Sequence, residues 1–94
     1  MPTPRRNFGT AASDGKIYAI GGGNNDFEVL STVEEYDPAS NTWTTRVPMS
    51  TAHHVLGVAA LAGRIYAIGG WDGNVLNTVE EFTPASTNYI LFKN

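Results

Sequence analysis

The chain repeats itself at a period close to 48 residues. KIYAIGG at positions 16–22 returns as RIYAIGG at 64–70, an offset of 48, and TVEEYDPAS at 32–40 returns as TVEEFTPAS at 78–86, an offset of 46. The loop between these two blocks is therefore two residues longer in the first copy. Because self-similarity at a fixed period of this size is the signature of a repeat architecture, we predict two structural repeats, residues 1–48 and 49–94.

Each copy contains four short runs with strand character, separated by turn residues, and neither copy shows a helical period. The sequence therefore predicts an all-β fold with one four-stranded antiparallel unit in each repeat. The second run of each copy is almost entirely apolar, as expected of a strand covered on both faces. A double glycine follows it, which permits positive φ and a close approach of another backbone. The predicted strands are residues 8–12, 17–20, 33–36 and 43–47, then 56–60, 65–68, 79–82 and 89–92.

Composition excludes several classes of protein. The chain has no cysteine, which excludes a disulfide scaffold, a thiolate zinc site and a cysteine nucleophile. Six Lys and Arg against nine Asp and Glu give a net charge of −3, without the basic excess that nucleic-acid binding requires. No apolar stretch approaches the roughly 20 residues of a membrane span, and no secretory signal or N-x-S/T sequon occurs. We therefore expect a cytoplasmic protein without membrane or nucleic-acid partners.

The first copy contains IYAIGG at 17–22, YDP at 36–38 and a tryptophan at position 43. These residues and their spacing resemble the kelch repeat of β-propellers. The second copy keeps IYAIGG but has FTP in place of YDP and Tyr89 in place of the tryptophan. The resemblance implies that each repeat is a propeller blade and that Trp43 and Tyr89 are packing aromatics on the outer strand.

In the kelch family, the segment entering the first strand and the loop after the double glycine share one mouth of the propeller. Here these are residues 1–7 and 23–31 in the first repeat, and 49–55 and 71–77 in the second. The family commonly receives partners at this mouth, whereas the loops of the opposite face are short and chemically plain. The predicted binding residues are Arg5, Arg6, Asn24, Asn25, His53, His54 and Trp71.

Three of these positions allow alternative roles. Arg5 and Arg6 could grip an acidic partner through their forked donors, or brace neighbouring loops. Trp71 could anchor an interface or fold back over its own blade. His53 and His54 are adjacent in an extended segment, so their side chains point to opposite faces and do not form a metal site within one chain.

No catalytic motif is visible. The glycine-rich run at 21–25 lacks the Gly-Lys-Ser/Thr ending and the following helix of a phosphate-binding loop. The carboxylates at 34–35 and at 80–81 are adjacent in a strand, so the two side chains of each pair point to opposite faces. They fit a role in blade packing. No Ser-His-Asp arrangement can be assembled. We therefore predict no catalytic residues, no metal and no cofactor.

The leading hypothesis is a non-enzymatic binding module for a protein or peptide, with a carbohydrate as the less favoured ligand. The alternative is a sugar-acting kelch enzyme, mutarotase-like or lyase-like, with a site built from Arg5, His53 and loop carboxylates. The copper-radical oxidases of that group need a cysteine, which this chain lacks. A pH-dependent turnover would distinguish an enzyme from a scaffold.

Two blades alone leave an outer sheet face uncovered on each side, and repeat folds generally need three or more units. The second repeat ends at position 94, so a further repeat would begin in the register that Met1 occupies. This match between head and tail predicts a head-to-tail ring. Kelch propellers usually have six or seven blades, and only an even number can be built from two-blade chains. We therefore expect a cyclic homotrimer with six blades.

Overall fold

The computed structural model describes residues 1–54, 57–83 and 89–93, which form two four-stranded antiparallel sheets. The strand orders are β1-β2-β3-β4 and β5-β6-β7-β8. This confirms the predicted all-β class, and every predicted strand lies within two residues of an observed one. The strands are β1 (Gly9–Ser13), β2 (Lys16–Ile20), β3 (Val33–Asp37), β4 (Thr42–Thr45), β5 (Gly57–Leu61), β6 (Arg64–Ile68), β7 (Thr78–Phe82) and β8 (Tyr89–Lys93).

The two sheets have the same register. Ile17 lies opposite Tyr36 between β2 and β3, and Ile65 lies opposite Phe82 between β6 and β7. A two-residue turn joins β1 to β2 and another joins β5 to β6, both with positive φ at each of their residues. The predicted turn at residues 84–86 and the packing of the Tyr89 side chain lie outside the described residues. Among the residues that the structure describes, no helix is long and apolar enough to cross a membrane.

The core lies between the two sheets. The ring of Tyr18 from β2 meets that of Phe82 from β7 edge to face, with 6.0 Å between ring centroids. Trp43 is not part of this core. It is half-buried on β4, where its ring lies 5.0 Å from that of Tyr36. The buried apolar residues are Tyr18, Ile20, Val33, Met49, Ile65, Ala67 and Phe82.

Equivalent residues of the two repeats differ in burial according to the face they occupy. Ile65 is 1% exposed, whereas its counterpart Ile17 is 42% exposed. Ile20 is 2% exposed, whereas its counterpart Ile68 is 46% exposed. The expectation that the second strand of each repeat is covered on both faces therefore holds only for part of β2, where Tyr18, Ala19 and Ile20 are buried in succession. In β6, Ile65 and Ala67 are buried on the face shared with the other sheet, and Ile68 is exposed on the opposite face.

The first double glycine lies where the backbones of the two repeats approach each other closely. Gly21 and Gly22 have φ of +68° and +99°, a region that residues with a Cβ rarely occupy. A Cβ on Gly21 would lie 2.6 Å from the carbonyl oxygen of His53, in the next repeat. The amide of Gly22 donates to that same oxygen at 2.7 Å. The positive φ and close backbone approach expected at this position are both confirmed.

Candidate binding site

A pocket of about 260 Å³ lies where the entry segments and the loops after the double glycines meet. It brings together four of the seven predicted binding residues. Asn25 lies beside it, in a second hollow of about 170 Å³ that also reaches Pro4 and Arg5. The residues that line the larger pocket are Arg6, Gly23, Asn24, Phe27, Glu28, Val29, His54 and Trp71.

The same backbone pairing places the loop beside the entry segment in each repeat. Arg6 exchanges two backbone hydrogen bonds with Gly23, at 3.0 and 2.9 Å, and His54 exchanges two with Trp71, both at 2.9 Å. Gly23 and Trp71 therefore hold equivalent positions. A Cβ on Gly23 would lie 3.1 Å from Cδ2 of His54, so the imidazole occupies the space that a side chain at residue 23 would need. The pocket is open because the first repeat has glycine at this position.

Aromatic rings form much of the wall. Trp71 packs edge to face against His54 of its own repeat, with 5.9 Å between ring centroids, yet 44% of the residue stays exposed. Trp71 therefore lies against its own blade and still presents exposed apolar surface. Phe27 is 85% exposed, and the guanidinium of Arg6 lies 5.6 Å from the centre of its ring.

Asn24 organises the turn that presents Phe27. Its side-chain oxygen accepts hydrogen bonds from the amides of Asp26 and Glu28, at 3.0 and 3.1 Å. Its side-chain nitrogen donates to Oε1 of Glu28 at 3.0 Å, and its carbonyl accepts from the amide of Phe27 at 3.2 Å. Most of the hydrogen-bonding capacity of Asn24 is therefore used inside the turn.

Arg5 lies beneath the site, with a side chain that is fully buried. Its Nη2 donates to Oε1 of Glu34 at 2.8 Å and to the carbonyl of Ala19 at 3.2 Å. Its Nη1 donates to the carbonyls of Gly21 and Thr32, at 2.9 and 3.0 Å. Burial lowers the pKa of Arg5, against the opposing effect of Glu34. Of the two roles considered for the arginine pair, Arg5 has bracing contacts and Arg6 has the exposed position at the pocket.

The histidine pair divides in the same way. His53 is fully buried, with Nδ1 2.6 Å from the carbonyl oxygen of Gly69 and Nε2 3.3 Å from Oε1 of Glu80. Glu80 also accepts hydrogen bonds from the amides of Ser50 and Thr51. Burial opposes charge on both groups, but their mutual contact and the backbone bonds outweigh it. The pKa of His53 is therefore raised and that of Glu80 lowered.

The other carboxylate of the first pair also has internal partners. Glu35 accepts a 2.6 Å hydrogen bond from the hydroxyl of Tyr18 and a 2.8 Å bond from Nη2 of Arg46. Burial raises the pKa of Glu35, but these bonds more than offset it, so its pKa lies below the usual range. Burial and the bond to Glu35 raise the pKa of Tyr18. Glu34 and Glu35 thus point to different partners, as their adjacent positions predicted.

Sequence reasoning missed four residues of the pocket. Gly23, Phe27, Glu28 and Val29 all belong to residues 23–31, a loop predicted to reach the mouth, but they are not among the predicted binding residues. Two signals could have found them. An aromatic residue lies in that longer loop, and glycine in one repeat is matched by tryptophan in the other.

The comparison with known proteins agrees with this architecture, because the kelch motif matches residues 4–50 and 56–88. The chain belongs to the kelch-repeat family. Human Kelch-like protein 28 is 39% identical over 77 residues, which cover 74% of this chain and 14% of that protein. A mouse homologue of the influenza virus NS1A-binding protein is 40% identical over 74 residues, which cover 79% of this chain and 11% of that protein.

These matches have two consequences. First, the kelch chain spans only a small fraction of the length of its curated relatives. Second, its two sheets correspond to blades of the propeller type. Proteins of this kind typically serve as protein-interaction modules. Neither the relatives named above nor the geometry of Arg5 and His53 supports the alternative of a sugar-acting enzyme.

Proposed function

We propose that this chain is a non-enzymatic interaction module and that its pocket receives a protein or peptide. The observation that carries the proposal is the convergence of loops from both repeats on one pocket with exposed Trp71 and Phe27. Aromatic residues and arginine supply much of the binding energy in protein interfaces, because they bury large, rigid surfaces. One relative is itself named as an NS1A-binding protein.

In each of the two adjacent pairs, one residue lies at the pocket and the other is buried, and this arrangement supports the proposed function. Arg6 and His54 lie at the pocket, while Arg5 and His53 hold the entry segments from below through Glu34 and Glu80. A buried, hydrogen-bonded ion pair fixes the backbone that carries the next residue. The pocket is therefore preorganised, which reduces the entropy lost on binding.

Binding peptides selected from a random display library test this function. Trp71→Ala should weaken binding by about 1 to 3 kcal/mol, roughly fivefold to 150-fold, because it removes an anchor ring that the partner would bury. Leu61→Ala is the matched control, since Leu61 is exposed at the opposite end of the second sheet. Equal weakening by both changes would contradict a partner site at this pocket.

We further propose that the free face at each side of the chain pairs with a second copy. Three chains would then form a ring of six blades, each blade being one of the predicted repeats 1–48 and 49–94. The contact between the two repeats supports this assembly, because Ile17 and Ile68 are exposed where their counterparts Ile65 and Ile20 are buried. Met1 is likewise exposed, whereas its counterpart Met49 is buried.

Backbone hydrogen bonds support the same assembly. The amide of Gly22 donates to the carbonyl of His53 across the contact between the repeats. The amide of Gly70, the counterpart of Gly22, has no such bond within residues 1–54, 57–83 and 89–93. In a ring, the carbonyl of Arg5 from the next copy would stand where that of His53 does. Light scattering should give three times 10.1 kDa, about 30 kDa.

Ile68→Asp should reduce the mass to that of a monomer, because it places a charge in the apolar contact. Ala39→Asp, at an exposed position in the turn between β3 and β4, should leave the mass unchanged. A folded wild-type monomer of 10.1 kDa would refute the ring.

A further inference from the structure

We infer that the pocket takes a large apolar side chain flanked by basic residues in the partner segment. This inference rests on the proposed binding function and specifies the chemistry of the ligand. The pocket lies within one chain, between its two repeats, so the inference does not depend on the proposed ring.

The size and lining of the pocket favour a single side chain. Its volume of about 260 Å³ lies below the range of roughly 300 to 1,000 Å³ that whole small-molecule ligands occupy. Phe27, Val29 and Trp71 supply apolar wall, and the ring of His54 closes one side. A Leu, Phe or Trp side chain would bury its surface against these rings, at roughly 25 cal/mol per Å².

The backbone conformation of Phe27 supports a functional role for its exposed ring. Phe27 has φ of +61°, and the equivalent position of the second repeat is Gly73, with φ of +117°. A left-handed conformation at a residue with a Cβ costs about 1 to 2 kcal/mol, and such strain concentrates at functional sites. The hydrogen bonds of Asn24 hold the turn in this conformation. The strained turn presents an aromatic ring that remains 85% exposed.

The charges around the pocket favour a basic partner. Asp26, Glu28 and Asp72 are exposed in the two loops that form it, and no ion pair to any of them occurs in the described part of the chain. The exposed guanidinium of Arg6 is the opposing charge, and it lies over the ring of Phe27. The side chains of Arg5 and His53 lie deeper and contact Glu34 and Glu80. The rim therefore carries an excess of negative charge, which attracts Lys or Arg.

Selection from a random peptide library tests this chemistry directly. The immobilised wild-type chain is the bait, and a soluble Phe27→Ala/Trp71→Ala chain in excess removes peptides that bind elsewhere. We expect the remaining peptides to share a Leu, Phe or Trp next to Lys or Arg. Replacing the apolar residue by Ala, or the basic residues by Glu, should abolish or strongly weaken binding of a synthetic copy.

Charge variants of the chain provide the second part of the test. Glu28→Gln and Asp72→Asn should each weaken binding of the selected peptide by about twofold to fivefold at low salt, an effect that added salt suppresses. Arg6→Gln removes the positive charge that opposes a basic partner, so it should strengthen binding at low salt. Asp14→Asn is the control, because Asp14 lies in the exposed turn at the other end of the first sheet.

The outcomes separate this inference from the function on which it rests. Selected peptides with acidic flanks, weakened by Arg6→Gln, would overturn the basic-partner inference and leave the binding function intact. Peptides without a large apolar residue would overturn it as well. If no peptide depends on Phe27 or Trp71, the proposed function itself fails.

Discussion

Nε2 of His53 lies 3.3 Å from Oε1 of Glu80, at the position where the guanidinium of Arg5 lies 2.8 Å from Glu34 in the preceding repeat. Both pairs are buried. The two repeats therefore make the same contact with two different basic side chains. Only histidine titrates near neutral pH, so this substitution makes one blade sensitive to pH and leaves the other insensitive.

The first prediction is a pH-dependent stability that depends on His53. Its raised pKa means that its contribution is complete below 6.5, the ordinary value, and is lost as pH rises through the folded value. The lowered pKa of Glu80 means that its contribution is complete above 4.5 and is lost as pH falls through the folded value. The pair should therefore stabilise the fold most between these two ordinary values. Denaturant unfolding should give a larger free energy at the acidic side of neutrality than at alkaline pH.

His53→Gln should remove this part of the pH dependence and lower the free energy of unfolding by about 1 to 3 kcal/mol in the stabilising window. His53→Arg, which copies the first repeat, should flatten the profile while keeping a cation beside Glu80. His54→Gln is the control, because His54 lines the pocket instead of this buried contact. An unchanged profile in His53→Gln would show that another group causes the dependence.

The second prediction compares two neighbouring arginines. Arg5→Met should lower the free energy of unfolding by about 3 to 5 kcal/mol, because Glu34 would remain buried without its cation. Three backbone carbonyls, those of Ala19, Gly21 and Thr32, would each lose one hydrogen bond as well. Arg6→Met should change stability by no more than about 0.5 kcal/mol, since Arg6 is exposed. Chemical denaturation measures both, and similar losses in the two variants would contradict the bracing contacts of Arg5.

The third prediction concerns Gly21, which lies at the close backbone contact between the repeats. Gly15→Ala and Gly21→Ala both introduce a Cβ at positive φ, which should cost about 1 kcal/mol or more in each. Gly15 has no atom within 4 Å of the added carbon, whereas Gly21 has the backbone oxygen of His53 at 2.6 Å. Gly21→Ala should therefore lose a further 1 to 3 kcal/mol or so from overpacking. Thermal unfolding with equal melting temperatures for the two variants would contradict the close approach.

The fourth prediction uses Gly69, the counterpart of Gly21, to report on assembly. A Cβ on Gly69 would meet the carbonyl oxygen of Leu76 at 3.4 Å, an ordinary contact, so Gly69→Ala should resemble the Gly15 control in a monomer. In the proposed ring, the next copy would bring the carbonyl of Arg5 to this position. Gly69→Ala should then be as destabilising as Gly21→Ala, and it should also lower the mass measured by light scattering. A mild effect in both measurements would argue against the ring.

Much of this architecture is determined along the chain itself. The offsets between the repeated segments, the alternation of strand and turn residues and the double glycines predicted all eight strands to within two residues. The resemblance to kelch repeats located the loops that meet at the pocket. These features are accessible because strand preference, turn chemistry and permitted φ depend on residues close together in sequence.

The tertiary structure decided which residue of each adjacent pair is buried and which is exposed. Adjacent positions in an extended segment imply that Arg5 and Arg6, like His53 and His54, point to opposite faces. They do not say which face is buried, because that depends on where Glu34 and Glu80 lie after folding.

The same holds for the pocket and for the two sheet faces. The pocket depends on the missing side chain of Gly23 in front of His54, and the match of Gly23 with Trp71 in sequence does not show that an imidazole lies there. Ile20 and Ile68 have almost identical sequence surroundings, yet one is buried and the other exposed. Burial depends on which other segment packs against a residue, and that is a property of the folded arrangement rather than of the local sequence.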